Sequence, residues 1–263
     1  MLLAVACGVG VVVACGAFDS DDPPVTADAG SSSSSSSSGG SGSSGASGGS
    51  DGGAEAGAGC VVGGNTLVCA DFSNTSQLVQ GGFERIAGDP ALLSLDAFQT
   101  EPNNTRLHVR IPKGGPASAA GYLVRAVPDS FSSVRISARL RNGSDVIDNL
   151  LDLLSFEADN FRLVVRVNST GKLTVAAGTP ITTKQYQVVD FTAAQERQVD
   201  LTLAFGATNT IAVDIDGRAG AAVTIDDFRT GVPAGNVSFA AGARYVLGSG
   251  GAWLDDVKLV VTK

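Results

Sequence analysis

A single histidine serves this chain of 263 residues. Any Ser-His-Asp set would hang on His108 alone, and a four-ligand zinc site has almost no imidazole to draw on. Aromatic side chains are also scarce, with one Trp and three Tyr. A sugar-stacking platform could use only Trp253, Tyr122, Tyr186 or Tyr245, and no spacing links them. The period of the last apolar run sets Trp253 beside Val257, Leu259 and Val261, a core position. There is no Gly-rich phosphate loop. Net positive charge is missing as well: the chain stands at −8, which excludes the basic footprint of a nucleic-acid binder. The apolar run at residues 1–14, MLLAVACGVGVVVA, falls short of the roughly 20 residues that cross a bilayer.

That run does fit the apolar region of a secretory signal, typically about 7–15 residues. Val12, Val13 and Ala14 then precede Cys15. The arrangement resembles the lipobox of bacterial lipoproteins. The resemblance implies cleavage before Cys15, acyl chains on its sulfur and new amino group, and a lipid bilayer as partner. Two or more chains anchor stably, because each buried methylene contributes about 0.8 kcal/mol. In one respect the pattern differs: no Lys or Arg precedes the run. Gly16 after the cysteine leans toward the outer rather than the inner membrane, which places the rest in the periplasm or on the cell surface. An ordinary cleaved signal is the alternative.

Residues 15–59 read as a disordered linker. Residues 19–59 carry six acidic residues, no basic one, and eight consecutive serines from Ser31 to Ser38. Such a stretch cannot bury enough apolar surface to offset its ordering entropy, and as a flexible coil it would span about 35 Å. Residues 60–263 hold the other 20 acidic and all 18 basic residues, so this part is nearly neutral. Lipid, tether, then one folded domain is the expected layout.

The domain opens with CVVGGNTLVC, residues 60–69. A Gly-Gly-Asn turn between β-branched runs predicts a hairpin stapled by a Cys60–Cys69 disulfide, as an oxidising compartment permits. Closing this ring contributes about 2.7 kcal/mol in the chain-entropy model. Beyond it, apolar and polar residues alternate in run after run. Val134, Ile136, Ala138 and Leu140 share one face, and Arg135, Ser137, Arg139 and Arg141 the other. Leu107, Val109 and Ile111 oppose Arg106, His108 and Arg110, while Val199, Leu201, Leu203 and Phe205 face Ile211, Val213 and Ile215. Period two with one polar face predicts antiparallel sheets on a shared core, punctuated by turns such as Ser169-Thr170-Gly171 and Asp216-Gly217. Only SDVIDNLLDLLSF, residues 144–156, is ambiguous. It is read as a loop or helical turn capped by Ser144, then a strand from about Leu153 to Ala158.

CADFS, VRISARLR, DLLSFEADNFRLVVRV, VDLTLAF, TIAVDIDG and AWLDDVKLVV, in that order, resemble the concanavalin A-like jelly rolls of legume lectins, laminin-G modules and laminarinase-type glucanases. The expected fold is therefore an antiparallel β-sandwich. Galactose-binding-type jelly rolls end in a similar DDV strand and stay open as a second reading. The glucanases carry E-x-D-x-E or E-x-D-x-x-E on a strand, and retaining hydrolysis needs two carboxyls about 5–5.5 Å apart. Glu157 and Asp159 fit the first two positions. Phe161 or Arg162 stands at the third and cannot shuttle a proton, so no enzyme activity is expected. Arg106, Arg110, Arg135, Arg139, Arg141, Arg162 and Arg166, with His108, form a second candidate. On neighbouring strands they would make a positive surface suited to carboxylated or sulfated glycans; cross-strand pairing with Asp and Glu is the plainer reading. Asp71 near the first strand, and Asp255 and Asp256 at the last, are candidate ligands for a structural calcium ion. The expected function is non-catalytic binding or adhesion to a glycan. The alternatives are a glycosidase or lyase built on Glu157 and Asp159, and an envelope module with a protein partner.

Overall fold

The computed structural model describes residues 60–263 apart from 74–75, 99–100, 113–119, 144–149, 245 and 248. Cys15 with its lipobox, the linker at 15–59, Ser144 and Tyr245 lie outside the described residues. Strands dominate: β1 Thr66–Ala70, β2 Arg85–Gly88, β3 Leu93–Phe98, β4 Glu101–Ile111, β5 Gly121–Ala126, β6 Ser133–Asn142, β7 Leu150–Glu157, β8 Arg162–Asn168, β9 Lys172–Gly178, β10 Thr183–Asp190, β11 Glu196–Ala204, β12 Thr210–Ile215, β13 Arg218–Ala219, β14 Val223–Thr224, β15 Ser238–Ala243, β16 Val246–Leu247 and β17 Gly250–Thr262. One 3-10 turn, Pro90–Leu92, precedes β3.

These strands make two sheets. The first runs β13-β12-β11-β6-β17-β4-β3, with β1 also on β17 and β14 on β12. The second runs β10-β9-β8-β7-β15-β5-β2, with β16 on β7. The ladders are antiparallel. The expected β-sandwich is the observed architecture.

Alternation decides which side chains meet between the layers. Val134, Ile136, Ala138 and Leu140 of β6 are buried, and Ile136 lies opposite Leu201 of β11, which lies opposite Val213 of β12. From the second sheet Phe156, Leu163, Val165, Val175 and Phe239 join the same core. At one end Phe131, Phe156, Phe161, Phe205 and Phe228 pack ring against ring, with centroids 5.0–6.3 Å apart. Such pairs contribute about 0.5–1.5 kcal/mol each beyond their area. The Asp216-Gly217 turn has φ of 56° and 74° at its two residues, the left-handed pair that a two-residue hairpin between twisted strands demands.

Three details differ from the sequence reading. Cys60 and Cys69 are bonded, with Cα atoms 5.5 Å apart, but the hairpin shrinks to a turn closed by one Gly63–Thr66 bridge. β1 pairs with β17 instead, where a long partner offers more ladder bonds. Second, the ambiguous stretch is strand from Leu150. A bulge between Asp152 and Leu154 buries Leu153 and Leu154 together, which is why the leucines mimic helical spacing. Third, Trp253 leaves the core. One residue is inserted in β17 between Asp255 and Lys258 relative to β6, and Asp256 there has φ 49°. The bulge shifts the period, so Ala252 and Leu254 face inward above it, Val257 and Leu259 below it.

Candidate functional site

The outer face of the second sheet is a trough. Val124, Ala240, Ser155, Val164 and Ala176 stand side by side across β5, β15, β7, β8 and β9. They alternate with the core residues and point away from the interlayer core, yet none is more than 5% exposed. At about 4.8 Å per strand the row is some 19 Å wide. Its side chains are small because long ones lie over them. Arg162 sits opposite Glu157 on β7, and Arg166 opposite Asp152. The Arg162 guanidinium nevertheless reaches Asp152, with Nη2 3.0 Å from Oδ2. To do so it must cross above Ser155 and Val164.

The charges interlock. Asp152 is fully buried and holds both Arg162 and Arg166, the latter through Nε at 3.0 Å. Burial pushes the Asp152 carboxyl above its usual range, while the two guanidinia pull it back. Glu157 takes Arg162 Nε at 3.1 Å and also receives Arg244, which follows β15. The Arg244 guanidinium lies 5.2 Å from the centroid of the Tyr122 ring. Three guanidinia thus meet two carboxylates. Beside them opens a cleft of about 430 Å³ lined by Arg85, Tyr122, Asn236, Ser238 and Arg244. A larger cleft of about 520 Å³ lies at the β10 and β12–β13 edges. Its Lys172 and Arg197 are matched by Asp190 and Asp216, and Arg218 in its lining is exposed.

The predicted arginine surface divides in two. Arg162 and Arg166 stand in the trough, whereas Arg106, Arg110, Arg135, Arg139 and Arg141 belong to β4 and β6 on the opposite side of the sandwich. The seven form no single positive face. Arg106 is only 2% exposed, with Glu101 and Glu196 each at 2.7 Å and Asp255 at 3.5 Å. Arg139 meets Asp256 at 2.7 Å and Glu196 at 3.6 Å, and Arg141 meets Glu196 at 3.9 Å. Arg110 and Arg135 are exposed. His108, on the same outer face, has a carboxylate partner. Its Nδ1 lies 2.6 Å from Asp96, which also accepts from the Ser94 hydroxyl at 2.7 Å. The ring stacks on Trp253 at 4.3 Å. Asp96 and Ser94 occupy the polar phase of LSLDAF, so only the β3–β4 register was needed to find them.

Asp71, Asp255 and Asp256 do converge: one carboxylate oxygen of each lies within 4.8 Å of the others. β4 covers β17 up to Leu254 and β1 covers it from Val257. The bulge falls in the gap between them, where Asp71 leaves β1. The donors are hard oxygens, as calcium requires, although Arg106 and Arg139 already face Asp255 and Asp256. Burial, then the neighbouring Asp256, raises the Asp255 pKa to about 6. The glucanase-like positions separate. Glu157 holds two arginines, Asp159 turns away after β7 to accept from the Asn236 N–H at 3.4 Å, and Phe161 is core.

No protein-family description matches this chain, and no curated protein matches it. Solved structures do. The sandwich is similar in fold to part of the botulinum neurotoxin binding domains. For the binding domain of botulinum neurotoxin DC in complex with SialylT, the TM-score is 0.54 at 9% identity, over 76% of this chain and 48% of that one. The same binding domain in complex with rat synaptotagmin II gives 0.53 at 10%, again over 76% and 48%. The receptor binding domain of botulinum neurotoxin D gives 0.53 at 10%, over 76% and 50%. This chain therefore spans about half the length of those structures. At such identity the likeness is one of fold.

Proposed function

We propose that this chain is a lipid-anchored envelope protein whose concanavalin A-like sandwich binds a glycan or receptor surface without catalysing a reaction. The observation that carries the reading is the trough of the second sheet, where Arg162, Arg166 and Arg244 gather above a small-residue floor beside an open cleft. The similarity in fold to binding and receptor-binding domains of botulinum neurotoxins supports it. A hydrolase is disfavoured because Phe161 and Arg162, at the two possible third positions after Glu157 and Asp159, supply no carboxyl. Thermal melting of the full chain against neutral and acidic polysaccharides tests the binding, since a ligand for the folded state must raise the midpoint. A rise with one glycan class is expected; no rise with any would move the partner to a protein.

Anchoring rests on the lipobox at Cys15 and the Ser/Gly tether, with the outer membrane favoured by Gly16. Labelled palmitate should enter the wild type and not Cys15→Ala; equal labelling of both would sink the anchor. Calcium at Asp71, Asp255 and Asp256 is a narrower proposal. Chelation should lower the midpoint of the wild type and leave Asp71→Ala unchanged.

A further inference from the structure

We infer that the trough selects saccharides bearing carboxylate or sulfate groups, gripped by Arg85 and Arg244 at the two sides of the cleft; this rests on the binding role proposed above. The first ground is charge. Among the described residues at this face, Glu84 is paired with Arg125 at 3.1 Å. That leaves Arg85, Arg162, Arg166 and Arg244 against Asp152, Glu157 and, on the backbone of Asn236 at the cleft, Asp159. The face is locally positive on a chain of net charge −8. An excess of this kind, set against the sign of the whole, concentrates anionic ligands.

The second ground is availability. Arg85 is exposed, and its side chain makes no hydrogen bond or ion pair among the described residues. Arg244 spends one nitrogen on Glu157 and lies over Tyr122, which leaves other guanidinium donors for a ligand. A planar fork held in place by a carboxylate and a ring loses little freedom when it takes a second anion, and its geometry matches carboxylate and sulfate oxygens. Asn236 and Ser238 line the same cleft and offer amide and hydroxyl groups to sugar hydroxyls.

The third ground separates sugar from peptide. The cleft lies on the sheet face, where β5 and β15 are paired on both sides and only β2, the last strand of the sheet, keeps a free edge. An extended peptide gains most of its affinity from such an edge, whereas the cleft is lined by Arg85, Tyr122, Asn236, Ser238 and Arg244. Recognition within it falls to side chains, which suits an anionic polysaccharide.

The test uses the full chain with polygalacturonate, its fully methyl-esterified form, dextran sulfate, dextran and polyglutamate. Titration calorimetry is run on wild type, Arg85→Gln and Arg244→Gln, with melting curves as the check on folding. Polygalacturonate or dextran sulfate should bind, and its neutral counterpart should bind at least about tenfold more weakly. Each arginine variant should lose about tenfold, as expected for one charge-assisted contact. Arg85 is unpaired, so Arg85→Gln carries the test even if Arg244→Gln lowers the melting point. Equal binding of the neutral polymers, indifferent to both variants, overturns the anionic selectivity and leaves the binding role standing. Binding of no saccharide overturns the anionic-saccharide inference and moves the binding role to a protein partner. Polyglutamate bound as tightly, with the same arginine dependence, overturns the saccharide class in favour of an acidic peptide.

Discussion

Arg106 shows what one side chain can and cannot disclose in advance. Its place in TRLHVRI fixes its phase, on the polar side of β4. Its neutralisers come from elsewhere: Glu101 from the same strand, Asp255 from β17 and Glu196 from β11. Alternation reveals facing but not which strands are neighbours, so the pairing that removes Arg106 from solvent was invisible. The consequence is energetic. Arg106→Ala would leave three carboxylates without their shared cation. A loss of about 3 kcal/mol is expected in urea denaturation, discounted because Glu101 and Glu196 are 40% and 36% exposed. A loss under about 1 kcal/mol would show that the network behaves as surface charge. Ser155 is the opposite case. It is 1% exposed, and its hydroxyl has no partner among the described residues. Removing a buried group that makes no bond relieves its desolvation, so Ser155→Ala should stabilise by about 1 kcal/mol. A loss of stability would reveal an ordered water on that hydroxyl.

Elements were the most legible scale, and their failures have a common cause. β6, β11 and β12, and β4 from Thr105 onward, alternate without interruption, and their inward residues are those the period names. β7 and β17 each carry a bulge. One inserted residue exchanges inside for outside, which is how Trp253 came to be read as core and Leu153 as part of a helical pattern. Bulge positions depend on the partner strand, and the sequence of one strand does not contain its partner. The trough inherits this difficulty: Asp152 and Ser155 share a face only because the bulge lies between them. Turns are more local and so more readable. Gly217 has φ 74° and nothing within 4 Å of where a Cβ would stand. Gly217→Val should therefore lose only the backbone cost of the left-handed conformation, about 1–2 kcal/mol. Gly206, equally uncrowded but without a positive φ, provides the control. Gly206→Ala should melt with the wild type, and an equal loss in both variants would shift the cause from backbone to the loss of turn flexibility.

At the scale of the whole molecule two groups of carboxylates respond to pH in opposite senses. Asp255 has a folded pKa of about 6 against an ordinary 3.8, because its burial outweighs the attraction of Arg106 and Arg139. The folded state therefore binds that proton more tightly than the unfolded chain. The stability it confers is complete below about pH 4 and is lost as pH rises through 6, by an amount on the order of 3 kcal/mol. Asp152, also pushed upward by burial, adds in the same direction. Asp96 and Glu101 are held below the ordinary carboxylate range, so their contribution is present above about pH 4 and lost in acid. Together they place maximum stability near pH 4, with the upper limb falling between about pH 4 and 6, more acidic than most domains show. Melting curves from pH 3 to 9 should trace a fall on both sides, and Asp255→Asn should flatten the upper limb while leaving the acid limb intact. A midpoint that climbs from about pH 4.5 to 6, or an upper limb unchanged in Asp255→Asn, would mean that Asp255 stays ionised in the folded protein. Its partner would then be either the Arg106 and Arg139 pair or a calcium ion shared with Asp71 and Asp256, and chelation separates the two: an upper limb that appears only with chelator assigns the role to calcium.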